Sequence, residues 1–210
     1  MKVAVVAANG RVGKLVVKEL VDRGADVTAF AREDENGTAA EKYVKADIMD
    51  LTAGDLAGFD AVVDAFGAWA PEGFPMHVKT SQHLCDLLSD TDVRLLVVGG
   101  AGSLYVNPEH TLQVWETPDF PAEFKGLAKA QVDELAELRP RDDVQWTFVS
   151  PAGDFQADGE RTGAYILAGE ELTLNERGES IISYADYALA MADEVLERSH
   201  PQQRVSVVRK

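Results

Sequence analysis

The first twenty residues constrain the fold more than any other part of the chain. An apolar run, Val3 to Val6, ends in a turn that carries Gly10 and Gly13, and apolar residues then recur at helical spacing from Val12 to Leu20. A strand without polar alternation is typical of a parallel sheet that is buried on both faces. Such a strand–turn–helix unit directs unpaired backbone N–H groups and the positive end of a helix dipole at one point, where a pyrophosphate is stabilised.

The turn itself has the spacing of a dinucleotide-binding fingerprint, Ala7-x-x-Gly10-x-x-Gly13, with its first glycine replaced. Gly10 lets the backbone approach the phosphates, and Gly13 lets the helix pack closely against the strand. We expect Ala7 to keep a negative φ, because its methyl group disfavours the left-handed region. A βα turn without a ligand is the alternative. The predicted cofactor-binding residues of the turn are Ala7, Asn9, Gly10, Arg11, Val12 and Gly13.

Composition limits the class of protein. The chain has 210 residues and a formal net charge of −16, which argues against binding to nucleic acid or to an anionic membrane. Its one cysteine, Cys85, excludes an internal disulfide framework and indicates a cytoplasmic protein. The four histidines lack metal-ligand spacing, so the sequence predicts no metal site.

Strands alternate with helices along the chain, which predicts an α/β fold with a doubly wound, Rossmann-type parallel sheet. We expect a single NAD(P)-binding domain over residues 1–210, in which residues from about 151 to 200 contribute a small C-terminal cap on the substrate side. The loop from Gly99 to Pro121 is long, and loops of that length in compact domains are often functional.

The residue after the second predicted strand indicates the cofactor. NAD-binding proteins usually place a carboxylate at the end of this strand for the ribose 2′-hydroxyl. Here Ala31 occupies that position and Arg32 follows it, and a guanidinium is suited to the 2′-phosphate of NADP. The sequence therefore predicts NADP in preference to NAD, although Glu33 would favour NAD if the loop folds differently.

Six segments then appear in an order that resembles the NAD(P)H-binding, NmrA-like branch of the atypical short-chain dehydrogenase/reductases, which includes flavin and biliverdin-IXβ reductases. The resemblance covers nearly the whole chain, and the fourth and fifth segments are its most specific parts. The segments are Ala7 to Gly13, Asp47 to Asp50, Asp60 to Ala65, Val97 to Leu104, Trp146 to Phe155 and Ile182 to Ala188.

This resemblance implies positions for the rest of the cofactor. Asp47 and Ile48 would flank the adenine, with Asp47 accepting from its amino group, and Ala65, Phe66 and Gly67 would pass beneath the adenosine ribose. The remaining implied contacts lie along the nicotinamide and are Gly99, Gly100, Ala101, Ser150 and Pro151.

The catalytic residues are less clear, because the wider superfamily protonates a carbonyl through a Tyr-x-x-x-Lys pair that this chain lacks. Lys129 is present on the expected helix, but Lys125 stands where the tyrosine would be. We therefore take Ser103 as a candidate proton donor and Lys129 as a candidate catalytic residue and ribose ligand. Trp69, Phe74, Tyr105 and Trp115 are candidates for an aromatic substrate wall.

Two functions from different classes are consistent with these features. The first is an NADPH-dependent oxidoreductase that transfers hydride to a small aromatic, flavin-like or quinone-like acceptor, which needs little help with protonation. The second is a non-catalytic NADP(H)-binding redox sensor that acts through a protein partner, which the missing tyrosine favours. A sugar-nucleotide epimerase or dehydratase is a third and weaker alternative.

Overall fold

A computed structural model describes all residues, 1–210, and contains ten β-strands and five α-helices. The helices are α1 (Arg11–Asp22), α2 (Ala53–Leu56), α3 (Met76–Leu88), α4 (Lys125–Leu138) and α5 (Tyr184–Glu197). The strands are β1 (Lys2–Val6), β2 (Asp26–Ala31), β3 (Lys42–Lys45), β4 (Ala61–Asp64), β5 (Arg94–Val98), β6 (Gln145–Ser150), β7 (Asp154–Gln156), β8 (Tyr165–Ala168), β9 (Ile181–Ser183) and β10 (Gln203–Arg209).

Eight of the strands form one sheet in the order β3-β2-β1-β4-β5-β6-β10-β8. The first seven run parallel, and β8 pairs antiparallel with β10 at one edge. The direction of winding reverses between β1 and β4, which is where open α/β sheets bind ligands. The predicted Rossmann-type fold is confirmed, and β7 and β9 form a separate parallel pair beside the cleft.

Both faces of the sheet are buried, as the uninterrupted apolar strand predicted. Val3 and Val5 of β1 pack in a cluster with α1 and α5, whereas Ala4 and Val6 pack on the opposite face with α3 and α4. This alternation follows from the two-residue period of a strand. Two helix layers therefore hold the carboxyl ends of the strands in fixed positions. No helix is long and apolar enough to cross a membrane.

The turn after β1 differs from the prediction at one residue. Ala7 has a φ of +53°, so the expected negative φ is wrong. The turn needs this conformation to bring the Gly10 N–H within 3.0 Å of the Ala7 carbonyl oxygen, which closes the loop before α1 begins. Holding an alanine in the left-handed region costs about 1–2 kcal/mol. The turn of the fingerprint therefore contains a strained backbone conformation at Ala7.

Candidate active site

A cleft of about 820 Å³ opens at the carboxyl ends of β1, β4, β5 and β6. At one end the floor is the turn before α1, and at the other it is the loop after β5 together with one face of α4. Arg11 and Asp154 are the only Lys, Arg, Asp or Glu side chains that line the cleft. The predicted cofactor residues among its walls are Gly10, Arg11, Val12, Ala65, Phe66, Gly67, Gly99, Gly100, Ala101 and Pro151.

The amino end of α1 has the features that a diphosphate requires. Gly10 precedes the helix without any side-chain cap, and the first turn contains no acidic residue. The N–H groups of Arg11, Val12 and Gly13 have no intramolecular acceptor. A Cβ on Gly13 would lie 2.8 Å from the Ala8 carbonyl oxygen, so only glycine lets the helix approach β1 this closely. Three free donors and the helix dipole therefore converge on one position.

Four other predicted contacts have different surroundings. Ile48 is buried in the core below the sheet, and this position contradicts a direct contact with the adenine. The Asn9 amide braces the loop after β2, donating to Glu33 at 3.1 Å and accepting from the Gly37 N–H at 2.9 Å. Asn9 thus supports the turn rather than facing the cleft. Ala7 and Gly13 likewise shape the turn without lining the cleft.

Arg32 and Asp47 lie together beyond the ends of β2 and β3. The Arg32 guanidinium is 75% exposed and 3.9 Å from the Asp47 carboxylate, which is a weak ion pair. Asp47 also accepts from the Met49 N–H at 3.0 Å. Both charges are therefore available at the outer end, where the fold places the adenosine half of a dinucleotide.

Ser103 and Ser150 are not exposed to the cleft. Both are buried and face Arg204 of β10, whose guanidinium lies 3.5 Å from each hydroxyl oxygen. The Ser103 hydroxyl also donates to the Gly100 carbonyl at 3.4 Å. Ser103 as a proton donor is therefore contradicted, because its hydroxyl fixes the back of the loop. The Ser150 hydroxyl likewise faces Arg204 and not the cleft, so it does not make the nicotinamide contact that the resemblance implies.

Lys129 is also outside the cleft. It is half-exposed and forms an ion pair with Asp133 one turn further along α4. Its contact with the ribose stays a prediction. The residues of α4 that line the cleft are Leu127, Ala128 and Gln131. Sequence reasoning missed Gln131, although a polar residue four positions after Leu127 lies on the same helical face.

The Gln131 carboxamide occupies a distinctive place in the cleft. It lies against Gly100, directly over the position that a Cβ would fill. Gln131 has no hydrogen-bond partner within the chain. A free amide in a mostly apolar cleft is well suited to orienting a ligand.

Aromatic side chains form most of the remaining wall. Of the four predicted from sequence, only Trp69 lines the cleft, and it is 70% exposed. Phe74 packs against Gly126, and Tyr105 stacks on His110. Both are therefore loop-packing residues, and Trp115 also lies outside the cleft. The aromatic residues that sequence reasoning missed in the wall are Phe120, Phe124, Phe155 and Tyr184.

A group of buried titratable residues lies beneath the cleft. Asp64 ends β4, His77 is in α3 and Glu134 is in α4, and none of them is more than 2% exposed. Burial, followed by the neighbouring Glu134 carboxylate, raises the pKa of Asp64 to about 7. Burial also raises the pKa of Glu134 well above its ordinary value and lowers the pKa of His77. His77 reaches the cleft wall and connects it to this group.

The site as a whole fits a nicotinamide dinucleotide. Free N–H groups suit its diphosphate, the outer Arg32 and Asp47 suit the adenosine, and the glycine-rich loop after β5 lines the part of the cleft where the nicotinamide would lie. Comparison with known proteins agrees with this geometry. The model of the NAD(P)H-binding family matches residues 7–198.

This chain belongs to the NAD(P)H-binding family. YwnB of Bacillus subtilis, described as uncharacterized, is 41% identical over 99% of this chain and 98% of its own length. A Streptococcus pneumoniae structure, described as a "putative NADH-flavin reductase", is 54% identical with a TM-score of 0.97, and the match covers all of both chains. A Lactobacillus casei structure is 29% identical with a TM-score of 0.89, over 100% of this chain and 99% of that chain. The chain is therefore an oxidoreductase of this family that binds a nicotinamide cofactor.

Proposed function

We propose that the protein is an NADPH-dependent reductase of a small, planar aromatic acceptor such as a flavin or a quinone. The observation that carries this proposal is the composition of the acceptor half of the cleft. Aromatic side chains surround a free carboxamide there, and no tyrosine or lysine of α4 faces the space. When bound, the reduced nicotinamide supplies a hydride, and a flat acceptor can receive it face to face.

The chain's own contribution is binding and orientation. The amides of Arg11, Val12 and Gly13 hold the diphosphate, and the loop after β5 supports the nicotinamide. Gln131 then fixes the acceptor through a hydrogen bond to one of its polar edge atoms. Placing the two reacting rings in contact converts a bimolecular step into an effectively unimolecular one. The aromatic wall excludes water from that contact.

The preference for NADP rests on Arg32. Its only ionic partner is Asp47 at 3.9 Å, so the guanidinium is free to bind a 2′-phosphate. Glu33, which would favour NAD, accepts a hydrogen bond from the Asn9 amide instead. We also propose that the protein is cytoplasmic and works on a small molecule, with the whole chain acting as one domain.

A redox sensor without turnover is the second candidate. The observation that favours it is that Leu127 and Gln131, rather than tyrosine and lysine, occupy the cleft-facing positions of α4. In this case the protein would bind NADP(H) and report its redox state to a protein partner.

Oxidation of NADPH, followed by absorbance with FMN, riboflavin, a quinone and an aldehyde in parallel, separates the two candidates. We expect turnover with flavins or the quinone and little with the aldehyde, whose reduction needs the missing tyrosine. Tight NADPH binding without turnover of any acceptor would contradict the reductase and favour the sensor.

A further inference from the structure

We propose that His77 donates the proton that accompanies hydride transfer and that buried Glu134 supplies it. This inference rests on the proposed reductase function and gives the missing tyrosine a replacement from another helix. The two residues meet beneath the loop after β4, where the His77 Nδ1 lies 3.6 Å from a carboxylate oxygen of Glu134. His77 is buried directly behind the cleft wall, so the pair lies between the protein interior and the acceptor space.

The free-energy cost of burying Asp64 and Glu134 together indicates that the two acids have a function. Oδ2 of Asp64 and Oε2 of Glu134 are both buried and have no hydrogen-bond partner. Leaving a buried polar atom unpaired costs on the order of the full desolvation of that group, and a buried charge costs more. Buried groups of this kind cluster at sites that move protons. Two buried acids, each with one oxygen left unpaired, therefore lie beneath one histidine and can store a proton.

No permanent positive charge faces the cluster. His77 from α3, Asp64 from β4 and Glu134 from α4 are the groups that interact with one another. The Ser81 hydroxyl of α3, which lies next to this group, donates to the backbone carbonyls of His77 and Val78. The remaining titratable neighbours are Cys85 near Asp64 and Tyr187 near Glu134, and burial raises the pKa of both. Because Cys85 and Tyr187 stay neutral, the proton balance is decided by Asp64, His77 and Glu134.

The orientation of the imidazole defines the path. His77 Nε2 faces the Ala68 N–H at 3.4 Å, and Nδ1 lies on the Glu134 side at 3.6 Å, beyond hydrogen-bond distance. In the proposed donating state, Glu134 carries a proton and the His77 ring hydrogen is on Nε2, where the acceptor replaces the Ala68 contact. The Ala68 contact is long for a hydrogen bond, so a polar atom of the acceptor can compete with it.

The step balances in atoms and electrons. A bound reduced nicotinamide would supply the hydride, and with it two electrons, and the acceptor would become an anion. The Nε2–H proton then bonds to the negatively charged oxygen or nitrogen of the acceptor while the Glu134 proton moves to Nδ1. The cofactor leaves oxidised and the acceptor leaves reduced and protonated. Water in the cleft then returns a proton to Nε2 while the Nδ1–H proton moves back to Glu134, which restores the starting state.

Two acceptors separate proton transfer from hydride transfer. A quinone needs both a hydride and a proton, whereas the N-methylacridinium cation becomes neutral on receiving a hydride alone. We expect Glu134→Gln and His77→Gln to slow the enzymatic reduction of the quinone by about 100-fold. Reduction of N-methylacridinium, corrected for its uncatalysed rate, should change by less than about threefold.

The control is Thr80→Val, which removes a buried hydroxyl of α3 that donates within its own helix to Met76. It should leave the ratio of the two rates unchanged. Calorimetric titration with NADP should give the same affinity for all of these variants, which shows that they fold and bind. In the unaltered chain the rate with quinone should fall as the pH rises and Glu134 loses its proton, and Glu134→Gln should abolish this dependence.

A measurement on the cofactor-free chain tests the proton store directly. The infrared difference between the unaltered chain and Glu134→Gln at neutral pH should show the C=O band of a protonated carboxyl group. An ionised Glu134 would overturn the proposal, as would equal loss with both acceptors or no loss with either. Failure of the unaltered chain to reduce either acceptor would instead contradict the reductase itself.

Discussion

The two ends of the cleft are built in different ways. The phosphate end consists of backbone from one continuous segment, Ala7 to Gly13, and its donors are the N–H groups that any helix leaves free. The acceptor end consists of side chains from four separate parts of the chain, including Trp69, Phe124, Gln131 and Phe155. A local motif therefore fixes the first end, whereas tertiary packing fixes the second.

This difference implies that the two ends of the cleft can change independently. Substitution of a wall residue would alter the shape of the acceptor space without moving the helix terminus that we propose holds the diphosphate. Function then depends on the site rather than on the fold. The predictions below test whether the two ends are as separable as the structure indicates.

The largest effect is expected at Gly13. In Gly13→Val the new Cβ would lie 2.8 Å from the Ala8 carbonyl oxygen and 2.9 Å from that of Ala7, so the turn must open. We expect roughly a 100-fold loss of affinity for NADP, measured by calorimetry. Gly54→Ala, whose added Cβ meets only the Thr52 hydroxyl at 3.6 Å, is the control. Unchanged affinity in a folded Gly13→Val would show that the helix terminus does not hold the diphosphate.

The buried acids beneath the acceptor end should make stability depend on pH. Burial raises the pKa of Asp64 to about 7, from an ordinary value of 3.8, so the folded state binds more protons than the unfolded state between these values. This contribution is therefore most favourable at low pH and is lost as the pH rises through about 7. Asp64→Asn should raise the free energy of unfolding at pH 8 by on the order of 2 kcal/mol, and by less at pH 5.

Denaturant unfolding at the two pH values measures this difference. Asp60→Asn, at an exposed carboxylate at the other end of β4, is the matched control and should not stabilise the chain. A gain from Asp64→Asn that is the same at both pH values would refute the role assigned to ionisation.

A substitution of Gln131, at the acceptor end, tests whether the two ends of the cleft are independent. Gln131→Leu removes the free carboxamide at similar volume, so kcat/KM for the acceptor should fall about tenfold. Affinity for NADP should stay within about twofold. Lys129→Gln on the exposed face of α4 should leave both quantities unchanged, because that lysine pairs with Asp133. An equal loss of acceptor turnover in both variants would restore Lys129 as a site residue.

These two helix positions show where sequence reasoning stops. The fold and the strand–turn–helix unit before the cleft could be predicted because strand pattern, glycine spacing and helix periodicity are local. Whether Lys129 or Gln131 faces the cleft depends on how α4 is rotated about its axis against the sheet, and no sequence motif indicates that rotation. The position of Ser103 could not be predicted for the same reason. Its hydroxyl faces Arg204 on the side of the loop away from the cleft, and Arg204 belongs to a strand a hundred residues further along the chain.

The buried cluster was also hidden in the sequence. His77 and Glu134 belong to two helices separated by 36 residues, 89–124, and each alone has the pattern of an ordinary polar residue of its helix. The φ of Ala7 was missed because the closure of the turn takes precedence over the preference of an alanine for negative φ. In each case a tertiary requirement decided the outcome.

A substitution of Arg32 tests whether a side chain adds cofactor specificity to the phosphate end of the cleft, which is formed by backbone. Arg32→Ala should weaken the binding of NADP about tenfold and leave the affinity for NAD within about twofold, because only NADP carries the 2′-phosphate. Titration of both cofactors against Arg32→Ala and an exposed, distant control, Arg177→Ala, measures the selectivity. Equal loss of NAD and NADP would contradict the assigned preference.

The smallest effect is expected at Ala7. Ala7→Gly relieves the strain of φ +53°, and glycine's greater freedom in the unfolded chain offsets part of the gain. We expect thermal unfolding to show a net stabilisation of about 0.5–1 kcal/mol. Ala8→Gly, next to it in a buried position, should instead destabilise the chain. Loss of stability in Ala7→Gly would show that the conformation carries no strain.

The most direct test of the account is the response of three backbone amides to the cofactor. In the ¹⁵N-labelled protein, addition of NADPH should shift the amide resonances of Arg11, Val12 and Gly13 more than those of any other helix terminus, because these free donors hold the diphosphate. Binding that leaves the three resonances in place, or no binding of NADPH or NADH at millimolar concentration, would contradict it.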